Sequence, residues 1–388
     1  MVGEAPVVGR VASLLFLGLV GLPLAAEPGF LTRSSELLGQ GKIDEAARMA
    51  EQILEASPDD PDALVVEGTV VLYRNLHPRR DDSIFRPLAE PAGPRAPGLD
   101  PSGAAKVAAW WKRVPGVDPG RASLWGDLAQ LTFRAGDPAQ ALEFAAAALD
   151  TPIPDPEALQ VAASVFLLNL DTTRGIRALE KIPGNRTALL YKGLEAWRLG
   201  KDGWRVSLQA FVDGQEPGPG TKLAAYLLGP DMRDTEAGFL EAIKTENSVP
   251  TLIVRQKYTD RYPNKFLSHL ELARSLSQFG SFGQALREYA EIDRKALAST
   301  PEERQAVLFH QAWAYQASGL SKEASRLWEM VADSRDFYLR SAAAWFLGQN
   351  AMARGEEIAA KGWWSKVADE PARSKYAFWA AEELKKLP

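Results

Sequence analysis

The sequence predicts an all-α fold, a solenoid of antiparallel helix pairs, and three observations carry that prediction. At 388 residues the chain exceeds one compact core, so it divides into domains or into repeats. Its composition, 46% hydrophobic and 24% charged, is that of a folded, soluble chain. The third observation is a frame of residue types that recurs along the chain: a small residue, a larger one three positions on, a Gly four further, then a second helix with Ala, Ala or an aromatic, and an aliphatic residue.

The N-terminal segment stands apart from this frame. "VASLLFLGLVGLPLAA" (11–26) carries no charge, follows Arg10 and precedes the polar "EPGF". It is shorter than the roughly 20 residues a membrane span needs and reads as a secretory signal cleaved after Ala26. That places the mature chain in the periplasm or outside the cell with no stable membrane span; the alternatives are an uncleaved anchor or a buried helix. The chain has no cysteine, which excludes disulfides, a lipid-attachment thiol and cysteine metal sites. A net charge of −5 and a pI near 5.5 lack the basic face that a nucleic-acid partner requires.

The frame first falls on Ser34, Leu37, Gly41, Ala46, Ala50 and Ile53, with Pro58 closing the unit. The same offsets give Ala129, Thr132, Gly136, Ala141, Ala145 and Ala148, then Ala273, Leu276, Gly280, Ala285, Tyr289 and Ile292. Two more sets are Ala312, Tyr315, Gly319, Ala324, Trp328 and Val331, and Gly348, Ala351, Gly355, Ala360, Trp364 and Val367. Small residues let paired helices approach to about 8–10 Å, and Gly at the turn takes a left-handed cap at little cost. One such unit cannot bury its apolar face alone, so stability comes from stacking.

On these positions the chain resembles the tetratricopeptide repeat (TPR) family over most of residues 30–388. The resemblance implies a right-handed superhelix and a protein partner held on its concave face. Two stretches are degenerate: 155–183 keeps Ala178 but lacks the turn Gly, and 187–212 keeps Gly193, Ala196 and Gly200 but loses the small residues of its second helix. "DGQEPGPG" (213–220) is too rich in Gly and Pro to be helical and reads as a hinge. The expected organisation is a signal peptide at 1–26, an N-terminal array at 27–213, a hinge with degenerate repeats at 214–264 and a C-terminal array at 265–388. The closing "SKYAFWAAEELKKLP" reads as a capping helix.

One place breaks the rule. A first helix fits 61–74, with its turn due at Asn75, yet the second helix is postponed to about 104. Residues 75–103 are therefore an inserted loop in the N-terminal array. Its second half has spacer composition. In its first half Arg79, Arg80 and Arg86, with Arg74 just before it, alternate with Asp81 and Asp82 around Ile84 and Phe85, the pattern of a segment ordered by Arg–carboxylate pairs. With His77, the residues Arg74, Arg79, Arg80, Asp81, Asp82, Phe85 and Arg86 are the candidate partner-binding set; covering the loop's own repeats is the alternative role.

Nothing in the sequence supplies chemistry. There are three histidines, and no zinc, phosphate-loop or serine-nucleophile box. His269 and His310 fall within first helices and read as packed residues, while His77 with Asp81 and Asp82 lacks the further ligands a metal needs. No catalytic residue, metal or cofactor is expected. Of the adjacent pairs Trp110–Trp111 and Trp363–Trp364, one member of each must turn away from its partner's packing direction, since neighbours on a helix point about 100° apart. The segment 337–388 is also similar to the helical superhelix of soluble lytic transglycosylases, without that family's Glu-Ser motif or catalytic domain. The reading is a non-catalytic protein-binding scaffold of the bacterial cell envelope, with an accessory peptidoglycan- or polysaccharide-binding factor as the alternative.

Overall fold

The computed structural model describes residues 29–58, 60–76, 125–126, 128–130, 132–133, 137–151, 155–214, 220–230, 232, 234–246 and 248–387. Among them the chain is helical throughout, without a strand. The N-terminal helices are α1 (Phe30–Gly39), α2 (Ile43–Ala56) and α3 (Pro61–Leu76), followed by α4 (Pro138–Asp150), α5 (Pro156–Leu168) and α6 (Thr172–Glu180). The middle of the chain holds α7 (Thr187–Arg198), α8 (Trp204–Val212), α9 (Thr221–Leu228), α10 (Glu236–Lys244) and α11 (Pro250–Arg261). The C-terminal helices are α12 (Phe266–Gln278), α13 (Phe282–Arg294), α14 (Pro301–Ala317), α15 (Ser321–Ala332), α16 (Phe337–Ala353), α17 (Glu357–Ser365) and α18 (Lys375–Leu384). Each helix packs mainly on its chain neighbours, as a stack of helix pairs requires, and α18 caps the stack by packing on both α16 and α17.

The frame positions make the core. Ser34, Ala46 and Ala50 in the first unit, and Ala129, Thr132, Ala141, Ala145 and Ala148 in the next, are fully enclosed. So are Ala273, Leu276, Ala285, Tyr289 and Ile292, and Ala312, Ala324, Trp328 and Val331. In the last unit the logic tightens to a notch. A Cβ on Gly348 would stand 2.1 Å from Trp364 Nε1, which instead donates a hydrogen bond of 3.2 Å to the Trp345 carbonyl while the two indoles stack at 5.9 Å. Between α14 and α16 the buried amides of Gln316 and Asn350 exchange two hydrogen bonds of 2.9 Å, fixing the alignment of the two helices.

The helix-ending turn repeats as faithfully as the frame. After α12, Gly280 has φ 85°, its N–H donates to Ser277 O (3.0 Å), and the Ser281 N–H donates to Leu276 O (2.8 Å). That is the paired closure in which a left-handed residue satisfies the last carbonyls. The turn after α5, the one that lacks Gly, keeps the same two bonds around Leu170 at φ 60°. The repeat geometry therefore holds a branched residue in a backbone conformation that costs roughly 1–2 kcal/mol.

Two features depart from a simple stack. From α7 the chain runs through α8, α9 and α10 to α11, which returns to pack on α7. Phe239 of α10 bridges this circuit, 6.0 Å from the Trp197 ring and 5.6 Å from Tyr258. Lys257 Nζ donates to the Trp197 carbonyl (2.6 Å), and Arg198 binds both Glu195 (2.8 Å) and Asp260 (2.9 Å). Helices on either side of the expected hinge at 213–220 thus touch directly; residues 215–219 lie outside the described residues. The second feature is a clasp: the Ser281 hydroxyl donates to the Leu168 carbonyl and the Gln284 amide to the Asn169 carbonyl, across 113 and 115 residues. The turn before α13 is thereby seated on the end of α5.

Candidate functional site

On α11 the sequence "TLIVRQKYT" places Thr251, Arg255 and Thr259 four apart, in one line on one face of the helix. That face meets α12, since the Thr259 hydroxyl donates to the Ser268 carbonyl (3.0 Å). Arg255 is 6% exposed, unusual for a residue whose charge must be matched when water is removed. One of its terminal nitrogens donates to the Thr251 hydroxyl, and its Nε has no hydrogen-bond partner among the described residues. Burial pushes the Arg255 guanidinium down to about 10, Glu271 opposes this, and the like charge of Arg274 adds to it.

Glu271 and Arg274 lie three apart on the first helix of the next unit, and Gln278 continues their line at the heptad spacing. Arg274 donates to Glu271 Oε1 over 3.2 Å, and the pair sits at the boundary with solvent, Arg274 42% and Glu271 20% exposed at the side chain. The patch therefore holds two cations against one carboxylate. His310 of α14 feels the Arg274 charge. The imidazole's surface is only partly covered but its ring is crowded by packed atoms, so burial, with the Arg274 charge second, pushes it down to about 3 and keeps it neutral.

The hydroxyls of Ser275, Ser277 and Tyr289 are enclosed, and that of Ser275 completes no hydrogen bond among the described residues. The Tyr289 phenol is raised by burial, with the nearby Ser277 hydroxyl and the Arg274 charge drawing it back and Glu271 raising it further. Beyond them His269 is fully engaged: Nδ1 meets Glu288 Oε2 at 2.7 Å and Nε2 meets the Pro263 carbonyl at 3.0 Å. Burial disfavours the charged imidazolium, but these two hydrogen bonds and the Glu288 charge outweigh it, leaving the His269 pKa raised. This pair joins α12 to α13, whereas Arg255 Nε keeps no hydrogen-bond partner among the described residues.

Of the loop residues singled out from sequence, Arg74 falls within the backbone of α3, and His77, Arg79, Arg80, Asp81, Asp82, Phe85 and Arg86 lie outside the described residues. His269 is buried and His310 half-buried, in keeping with their helical positions. Of the C-terminal tryptophan pair, Trp364 is enclosed and Trp363 is partly buried against the core, with the Lys366 ammonium 3.6 Å over its ring. Trp110–Trp111 lie outside the described residues. Among the described residues no group of three or more His, Asp or Glu is placed to hold a metal, and no helix is long and apolar enough to cross a membrane. Arg255 was missed by sequence reasoning; its signal was an arginine in an apolar run, four residues from a Thr on either side.

No family model and no curated protein sequence matches the chain. Solved structures similar to it are those of repeat proteins. The TPR domain of P58(IPK) is 14% identical, with 92% of this chain and 96% of that one covered and a TM-score of 0.29. Yeast Tom70 is 14% identical, covering 94% and 89%, with a TM-score of 0.31. The APC/C hetero-tetramer Cut9–Hcn1 is 12% identical, covering 88% and 72%, with a TM-score of 0.26. The all-α repeat architecture rests on the helices, turns and core described above.

Proposed function

We propose that the protein is a non-catalytic scaffold of the cell envelope that holds a segment of a partner protein along its first-helix face. One observation carries the reading: the frame residues are consumed by packing, while the line Glu271, Arg274, Gln278 on α12 leaves a polar surface next to an incompletely paired Arg255. Such a surface suits an extended polar segment, and a rigid stack of helices presents it in advance, which lowers the ordering cost of binding. The envelope assignment is supported by the uncharged run at 11–26 and by the similarity of 337–388 to the transglycosylase superhelix.

A photo-crosslinking residue placed at Gln278, and separately at the exposed Arg287 on α13, tests the scaffold in its own cells. A discrete protein adduct from position 278 and none from 287 is the expected result; adducts from neither position, or equal labelling from both, overturn it. For export, removing 1–26 should retain the protein in the cytosol, and an intact chain found in the cytosol overturns that part. The glycan-binding alternative predicts a change in tryptophan fluorescence on titration with glycan fragments. It is weakened at Trp363, where Lys366 already covers one face of the ring.

A further inference from the structure

The edge that opens α13 differs from its counterparts along the stack. In the three other framed units with a described turn, the turn Gly and the residue after it are exposed: Gly41–Lys42, Gly319–Leu320 and Gly355–Glu356. Gly280, Ser281 and Phe282 occupy the same positions and are buried. The four residues after the turn read "KIDE", "LSKE" and "EEIA" in those units, each with an acid, and "SFGQ" here, without a charge. What covers this edge is the end of α5. The Ser281 hydroxyl donates to the Leu168 carbonyl, the Gln284 amide donates to the Asn169 carbonyl, and a Cβ on Gly283 would lie 3.6 Å from Pro138 Cγ at the start of α4. Among the described residues no backbone N–H reaches those two carbonyls, which close α5 just before Leu170.

Each group in this contact has another partner within reach. Ser281 is the N-cap of α13, yet its side chain accepts no N–H from that helix's first turn; a rotation of the hydroxyl would supply the cap that serine ordinarily makes. Once apart, the two carbonyls and the half-buried Gln284 are satisfied by water. Phe282 stays in place, its ring 6.3 Å from that of Trp313 in the next unit, and the rest of α13 packs on α12 and α14. The edge can therefore leave α5 without unpacking a helix or stranding a buried polar group. The geometry points to a latch: the SFGQ edge seats on α5 in the closed coil seen here and releases as a unit, so the chain passes between a closed coil and an open one in which Leu168 and Ser281 stand apart. The missing charge is what permits seating, because an acid at 284, as at Glu45 and Glu323, would face a carbonyl at the negative end of a helix. The latch is a property of the fold and goes beyond the scaffold reading; neither depends on the other.

The chain has no cysteine, so introduced thiols report without background. Nitroxides on Glu157→Cys at the start of α5 and Ala290→Cys on α13, both exposed positions, give their separation in the full chain by double electron–electron resonance. The parent pair should show a dominant short distance. Gln284→Glu should raise the share of longer distances by about threefold or more, and Ser281→Ala should act in the same sense. Glu323→Gln, at the same frame position one unit on, should leave the distribution as in the parent. Release in the otherwise native chain is read separately by thiol labelling: Ser281→Cys should react about a hundredfold or more faster than Ala285→Cys, four residues on in the core, because the latch opens without global unfolding. Circular dichroism is expected to show unchanged helix content throughout. If Ser281→Ala loses helix, Gln284→Glu decides, since Glu is native at that position in two other units. An unchanged distribution in Gln284→Glu, an equal shift in Glu323→Gln, a shift that comes only with loss of helix, or labelling at 281 no faster than at 285 overturns the latch.

Discussion

Replacing Gly348 with Ala inserts one methyl group where Trp364 already lies. The added Cβ would stand 2.1 Å from Nε1, 2.5 Å from Cε2 and 2.6 Å from Cδ1, distances no packed carbon tolerates. Left alone, Gly→Ala in a helix stabilises by about 1 kcal/mol. Here the indole must move, which forfeits the hydrogen bond to the Trp345 carbonyl, about 1 kcal/mol, and most of the Trp345–Trp364 stacking, about 1 kcal/mol. Overpacking strain in a closed core adds roughly 2 kcal/mol. The net expectation is a destabilisation of about 3 kcal/mol, because the enclosed indole cannot shift without disturbing its neighbours. Gly362 on α17 is the matched control: a Cβ there meets nothing within 4 Å and the residue is exposed, so Gly362→Ala should stabilise by up to about 1 kcal/mol. Urea unfolding followed by far-ultraviolet circular dichroism reads both. If Gly348→Ala is as stable as the parent chain, the notch does not hold Trp364 and the reasoning for the last unit is refuted.

Two further outcomes follow from the turns and the histidines. At Leu170, with φ 60°, the usual order of helix-turn substitutions reverses: Leu170→Gly should be more stable than Leu170→Ala by about 1 kcal/mol in the same urea assay, because both lose the side chain but only Gly loses the strain; equal stability of the two variants removes the claim of strain. The histidines should bend the pH profile in opposite senses. His269, with its pKa raised by folding, contributes stability that is full below about 6.5 and lost as pH rises through the folded value. His310, pushed down to about 3, contributes stability that is present above about 6.5 and lost as pH falls toward 3. Unfolding midpoints of His269→Gln and His310→Gln between pH 4 and 8 should each flatten one arm of the parent profile, and a variant that changes neither slope refutes its assignment.

The repeat frame was legible because it is written in short range. Ala285, Tyr289 and Ile292, or Ala324, Trp328 and Val331, face inward wherever the pair of helices forms, and Gly280, Gly319 and Gly355 mark turns whose positive φ few other residues accept. What escaped was decided by tertiary partners. The stretch 155–183 reads as degenerate for want of its turn Gly, but the turn survives because both closing hydrogen bonds remain around Leu170 and the surrounding helices over-determine it. The return of α11 to α7 depends on Phe239 finding Trp197 and Tyr258, a match between residues whose spacing carries no period. Arg255 escaped because nothing local distinguishes a buried guanidinium from a solvated one.

The clasp changes what kind of spring this is. A stack held only by neighbour contacts stretches and twists easily, because each joint yields a little and the small rotations add along its length. Ser281 and Gln284, anchored on the carbonyls of Leu168 and Asn169, tie one coil to another, so the joints between them can no longer add freely. The span from 169 to 281 acts as a loop of fixed circumference, and the units outside it carry whatever elasticity the molecule keeps. A ligand gripped inside that span would feel a stiff collar, and mechanical load on the chain ends would reach it only after the two hydrogen bonds let go.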